Sequence, residues 1–148
     1  MAIEQPKNVN GSLGQFKWDS SFAKNKANTF SLAQKYVDSE CIERMVQYTP
    51  MRNGMLFKSA KLGTVIGSGE IRYASPYARY QYYGKLMVSS ITGSAFAARG
   101  ESKVLTEKDL VYNKARHPLA QRLWFETMKH NHKEQILRGA AAIARREK

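Results

Sequence analysis

Residues 19–50 read DSSFAKNKANTFSLAQKYVDSECIERMVQYTP, and this stretch decides the fold. Asp19, Ser20 and Ser21 supply short polar side chains of the kind that cap the free N–H groups of a first helical turn. After them Phe22, Ala23, Ala27, Phe30, Ala33, Val37, Cys41, Met45 and Tyr48 recur at three- and four-residue steps. That spacing predicts an amphipathic helix from Phe22 to Tyr48. At 1.5 Å per residue it would reach about 40 Å, long for a small domain. Pro50 ends it, because a proline pushes the residue before it out of helical geometry.

Outward from this helix the signals change. Residues 1–18 are punctuated by Pro6, Gly11 and Gly14 and read as an arm, anchored by Phe16 and Trp18. Beyond Pro50, Asn53-Gly54 marks a turn. Leu62–Ile66 and Ile71–Ser75, separated by Gly67-Ser68-Gly69-Glu70, read as a β-hairpin from their β-branched residues and glycine-rich link. Pro76 then opens a segment with Tyr77, Tyr80, Tyr82, Tyr83 and Gly84. Residues 89–102 are small and polar and read as a mobile loop. Val104-Leu105 and Leu110-Val111-Tyr112 offer one more strand or strand pair. A closing helix is expected from Leu119, with Pro118 at its first position. Its apolar residues fall on two faces, Leu119, Leu123 and Leu137 on one, Trp124, Met128 and Ile136 on another. That is more than a small sheet covers, and it suggests subunit contacts. Gly139 is expected to bend or end it.

The fold class is therefore α+β. A small antiparallel sheet, a hairpin plus one or two strands, is packed with a long N-terminal and a long C-terminal helix. Residues 1–18 form an extended arm and 19–148 a single domain, with a long loop at about 85–103.

The chain has 148 residues, 24 Lys+Arg against 12 Asp+Glu, and a formal charge of +12. With 43% hydrophobic residues it can bury a core, which excludes wholesale disorder. No run approaches the roughly 18 apolar residues of a membrane span. Met1 to Pro6 lack the basic-then-apolar pattern of a secretory signal, so none is expected. The positive charge is uneven: residues 50–100 carry +6 and 114–148 another +6, while 1–49 carry +1 and 101–113 carry −1. Such an imbalance suits a polyanionic neighbour, whether nucleic acid, membrane surface or acidic protein.

No catalytic constellation emerges. Cys41 is the single cysteine and lies on an apolar stripe, which fits packing better than nucleophilic chemistry. His130 and His132 are two apart on a helix and point away from each other, so they do not share a metal and read as solvated residues. His117 reads as a boundary residue beside Pro118. Glu70 is the only carboxylate between residues 50 and 100, and Asp38, Glu40 and Glu43 read as a solvated helix face. A nuclease or toxin would need a carboxylate or histidine cluster that is missing here. Gly67-Ser68-Gly69 lacks the spacing of a phosphate loop. No cofactor or metal is expected.

Five of the eight tyrosines lie between Tyr73 and Tyr83, interleaved with Arg72, Arg79 and Lys85. Base stacking with phosphate contacts is one use of such a cluster. A protein interface, in which Tyr, Trp and Arg are enriched, and core packing together account for it better. The candidate interface residues are Trp18, Tyr77, Arg79, Tyr80, Tyr82, Tyr83, Trp124 and Phe125.

Three strings then stand out in order. They are Tyr48-Thr49-Pro50 with Gly54, Leu56 and Ser59; Pro76-Tyr77-Ala78-Arg79-Tyr80-Gln81-Tyr82-Tyr83-Gly84; and His117-Pro118-Leu119-Ala120 with Trp124-Phe125-Glu126. Over residues 20–145 this set resembles the minor capsid, or tail-completion, proteins of long-tailed bacteriophages, especially those infecting Gram-positive bacteria. The resemblance implies a virion structural protein of the head–tail neck, made in the host cytoplasm and without enzymatic activity. It implies a homo-oligomeric ring in contact with other neck, connector and tail proteins. Genomic DNA would pass through the channel without sequence-specific recognition. It also makes residues 1–18 and 85–103 candidates for contacts between subunits. The alternative from another class is a basic nucleic-acid-binding domain using Arg72, Arg79 and the tyrosines.

Overall fold

The computed structural model describes residues 2–145. Its frame is a pair of long helices, α1 (Phe22–Met45) and α4 (Trp124–Ala144), packed along each other. Between them the chain makes two short helices, α2 (Met55–Gly63) and α3 (Ala78–Tyr83). Two separate antiparallel hairpins complete it: β1 (Val9–Gly11) with β2 (Gly14–Phe16), and β3 (Lys85–Ser89) with β4 (Lys103–Asp109). The α+β class read from the sequence is the observed one. The tail beyond Arg145, part of the expected closing helix, lies outside the described residues.

α1 runs as its spacing predicts and continues through a 3₁₀ turn, Val46–Tyr48, to Pro50. Its start differs from expectation. Ser21 makes no side-chain cap; the Asp19 carboxylate accepts from the Ser21 N–H and hydroxyl instead. The free N–H of Ala23 is met from the arm, by Gln5 Oε1 at 3.1 Å, while Gln5 Nε2 donates to the Asp19 carbonyl at 2.7 Å. Trp18 stacks between Phe16 and Phe22, at 5.2 and 4.9 Å between ring centroids, and fastens the arm to the helix. The arm itself carries the β1–β2 hairpin, whose residues are all exposed.

The hairpin expected at 62–66 and 71–75 does not form. Leu62 and Gly63 close α2, and residues 64–75 reverse direction without a strand ladder. Three contacts replace the ladder. Thr64 Oγ1 accepts from the Arg72 N–H at 3.0 Å, and the Ala74 N–H reaches the Ser59 carbonyl at 3.2 Å. The N–H groups of Gly67 and Gly69 both donate to Asp38 Oδ2, at 2.7 and 3.1 Å. Asp38, read as solvated, is thus a buried carboxylate that holds this turn to α1. Asn53-Gly54 does turn the chain: Gly54 is left-handed (φ 78°) ahead of α2, and Asn53 Oδ1 accepts the Met55 N–H.

The strands between 85 and 109 shorten the expected loop from about 85–103 to 90–102, and Leu110–Tyr112 lie outside the ladder. The register shifts between Lys85↔Asp109 and Met87↔Leu105, a bulge that leaves β4 uneven. Lys85 Nζ binds Asp109 Oδ1 at 2.8 Å, and this ammonium holds the Asp109 carboxyl below the usual carboxylate range.

α4 begins five residues later than expected. Residues 117–121 are tied down elsewhere, and Leu123 takes a left-handed conformation (φ 51°) that starts the helix at Trp124. The face with Trp124, Met128 and Ile136 joins Ile42, Met45 and Tyr48 to form the core. The second expected face does not form as one: Leu119 and Leu123 precede the helix, and they and Leu137 are exposed. Gly139 does not end the helix, which runs on to Ala144. Tyr36 of α1 lies across it, so closely that a Cβ at 139 would overlap the phenol hydroxyl and ring. Gly139→Ala is therefore expected to lose about 1–3 kcal/mol of stability despite the better helix propensity of alanine. Thermal unfolding of the variant checks this, and a stabilised variant would refute it.

Candidate assembly surface at the motif joint

The three sequence strings meet at the junction of α1 and α4. Tyr48 and Thr49 are buried where α1 ends. The Tyr48 carbonyl accepts the Gln121 N–H at 3.1 Å, and His117 Nδ1 lies 2.8 Å from the Thr49 carbonyl, a distance that fits an Nδ1–H donor. Ala120 is packed without exposed surface. The middle string closes the joint from the other side, since the Leu123 N–H donates to the Tyr82 carbonyl at 2.8 Å. Gly84 ends α3 with a left-handed backbone (φ 72°), where a side chain would also meet Tyr112 Oη and Arg122. Tyr112 Oη donates to the Gln81 carbonyl and fixes that helix end. The strings thus have a local physical role: the first and the second each supply backbone carbonyls to the segment of the third.

The expected interface residues separate into two groups. Tyr77, Arg79 and Tyr83 are exposed on and just before α3, and Tyr80 and Tyr82 are half-buried there. Trp124 belongs to neither a surface nor a subunit contact: it is 1% exposed and sits at the centre of the core. Its indole edge meets Tyr82 at 4.9 Å and Tyr73 at 5.6 Å, and its Nε1–H donates to Tyr73 Oη at 3.0 Å. Phe125 is half-buried against that core, and Trp18 is held by the arm. Together Tyr73, Tyr82, Tyr83 and Phe125 line a groove of about 620 Å³ with Trp124 at its base and Cys41 on its wall.

Burial pushes the Tyr73 hydroxyl above its ordinary pKa, and does the same to Tyr82, to which the Glu126 carboxylate adds. The sign follows from which state ionises first. As pH climbs, the unfolded chain loses these protons at the ordinary tyrosine value of about 10, while the folded chain keeps them longer. Their contribution to stability is whole below that value and is lost as pH rises through the folded pKa values. Melting temperatures are therefore expected to fall above about pH 10, less steeply in Tyr73→Phe. An identical slope in the two proteins would show that Tyr73 is not the group responsible. Burial also raises the Cys41 thiol, with Asp38 and Glu40 adding to it, which leaves it a poor nucleophile.

His132, read as solvated, is half-buried between the helices. Its ring nitrogens lie 3.2 Å from Arg44 Nη1 and Tyr48 Oη and 3.3 Å from Gln47 Nε2. Arg44 also pairs with Glu40 at 2.8 Å and reaches Gln135 Oε1 at 2.8 Å. No periodicity in the sequence distinguishes this polar seam from an ordinary exposed face. His130 is exposed. Among the described residues no group of three His, Cys, Asp or Glu is placed to hold a metal ion, and no helix is long and apolar enough to cross a membrane.

Comparison with family models, curated proteins and solved structures found no match. Tyr77, Arg79 and Tyr83 offer large flat contacts and a fixed charge on a helix rooted in the core through Tyr82. That is the composition of an interface anchor.

Proposed function

We propose that this chain is a structural subunit of the head–tail neck of a long-tailed bacteriophage, which works by self-association into a ring around the DNA channel and not by catalysis. The observation that carries the reading is the meeting of the three family-like strings at one joint, beside an exposed Tyr-Arg-Tyr surface. The exposed Leu119 and Leu123 ahead of α4, Leu137 on it, and the projecting β1–β2 hairpin with its bare Leu13 supply further surface for neighbouring subunits. The positive charge meets acidic protein partners or the DNA as it passes.

The nucleic-acid-binding alternative needs its tyrosines free to stack. Tyr73 and Tyr82 are instead committed to Trp124, which leaves Tyr77 and Tyr83 as the freely exposed members of the cluster. It predicts steeply salt-dependent DNA affinity.

Light scattering on the purified protein and electron microscopy of intact particles test the proposal. The expected results are an oligomer and density for this chain at the neck. A monomer together with a neck that lacks this chain would end the proposal. The double variant Arg79→Glu with Tyr83→Ser is expected to melt as the wild type does, since both residues are exposed, yet to shift the oligomer toward monomer by at least about tenfold in dissociation constant. Unchanged oligomer mass in that variant would remove α3 from the contact.

A further inference from the structure

Residues from three separated segments, 50–62, 74–81 and 111–113, line a second groove of about 740 Å³. Met55, Leu62, Tyr77 and Val111 line it and are 61%, 85%, 63% and 97% exposed. Side chains of this size left bare together mark a contact surface. Met55 and Met51 add flexible thioethers that adapt to varied partners. On α2, Met55, Lys58 and Leu62 follow at three- and four-residue spacing, so Lys58 stands within the apolar stripe. The groove lining holds no aspartate or glutamate, and its one charged side chain is Arg52, with Lys58 beside Met55 and Leu62 on α2.

The sign of that charge identifies the occupant. The exposed apolar projections of this chain carry no excess of acid to complement it. Leu13 is flanked by Lys7 and Lys17, and Phe96 by Arg99 and Lys103, with Glu101 held by Ser89 and Ala98. The single acids near Val65 and Leu137, Glu70 and Glu134, stand with Lys61 and Arg72 and with Lys133 and Arg138. β4 offers Leu105 with Glu107 and Asp109, but Asp109 is held by Lys85, and Lys103 and Lys108 intervene. A nucleic acid would satisfy the lysines and leave the four apolar side chains uncovered. We infer that this groove docks an acidic amphipathic segment of a different protein, its apolar face on Met55, Leu62, Tyr77 and Val111 and its carboxylates toward Arg52 and Lys58. This contact shares Tyr77 with the surface proposed above for self-association, while Met55, Leu62 and Val111 belong to the groove alone.

The test is fluorescence anisotropy with the full chain. The probe is a labelled synthetic helix of about four turns, leucine at i, i+3, i+4 and i+7 and glutamate elsewhere. The expected result is binding that weakens as salt is raised, and that is at least about tenfold weaker in Leu62→Asp. Leu13→Asp, which puts the same charge on a distant exposed leucine, is expected to bind as the wild type does. Leu62 is exposed, so its variant is expected to keep the wild-type melting temperature, and Met55→Asp is expected to repeat its effect. Equal binding of a peptide with lysine for every glutamate, or no effect of Leu62→Asp, overturns the inference. A self-oligomer broken by Leu62→Asp would give the groove to a second copy, and duplex DNA binding lost in that variant would give it to nucleic acid; either overturns it too.

Discussion

Trp124→Ala is expected to lower the unfolding free energy by about 4 kcal/mol, the range found when a buried aromatic side chain is removed. Trp124 is almost wholly enclosed and meets two tyrosine rings edge-on or tilted, so truncation deletes both contacts and leaves a hole. It also leaves Tyr73 Oη without its indole donor. The residue sits at the start of α4 directly after the left-handed Leu123, in the joint that the three strings build, so the surrounding backbone has little freedom to collapse inward. Against a total stability of about 5–15 kcal/mol for a domain, this is a large fraction. Trp124→Phe keeps most of the packing and is expected to lose about half as much. Urea unfolding of both variants provides the comparison. Equal losses would mean that the indole N–H and shape, and not buried volume, carry the effect.

Asp38→Ala is expected to cost about 3 kcal/mol, because hydrogen bonds to a charged group are the stronger ones and three donors lose their acceptor together. Those donors are the N–H groups of Gly67 and Gly69 and the side-chain amide of Gln34, the last at 2.7 Å. Asp38→Asn retains one carbonyl oxygen for the two backbone N–H groups and is expected to fall between wild type and alanine. The local signature is sharper than the global one. In Asp38→Ala the amides of Gly67 and Gly69 are expected to exchange with solvent faster, while those in the middle of α4 change only as global stability does. Unaltered protection at both glycines would show that the turn is held by something other than this carboxylate.

Both residues show where sequence reading stops. The two long helices are legible because apolar residues recur at three- and four-residue steps over some twenty positions or more, although α1 leaves Phe30 of that series exposed and buries Ile42 and Asp38 outside it. The run Thr64-Val65-Ile66 with Ile71 reads as a hairpin because local propensity and glycine turns both favour one. What overrides it is a carboxylate 29 residues earlier, which takes the turn's N–H groups, and a threonine side chain that stands in for a ladder partner. Nothing local encodes that. α2 and α3 escape a sequence reading because nine and six residues give too few turns for a period to emerge. The true β3–β4 hairpin hides behind a thirteen-residue link, far from the short turns that announce hairpins.

At the candidate surface, exposure of Tyr77, Arg79 and Tyr83 follows from the density of tyrosine and arginine in a short segment. Trp124 reads as equivalent from sequence, since an aromatic pair at a helix start serves a surface as readily as a core. Its burial is decided by where Tyr73 and Tyr82 arrive, which is a tertiary fact. The start of α4 is displaced for a similar reason: the carbonyls of Tyr48 and Thr49 hold residues 117–121 at the end of α1.

The close seat of Tyr36 over Gly139 has a mechanical consequence. Sliding α4 along α1 by one position would bring Arg138 or Ala140 beneath that ring, where a side chain does not fit the space a glycine leaves. The crossing therefore has a single notch. The register between the two long helices is thus set at one small residue, while the arm, the loop at 90–102 and the two paired ribbons lie outside that lock.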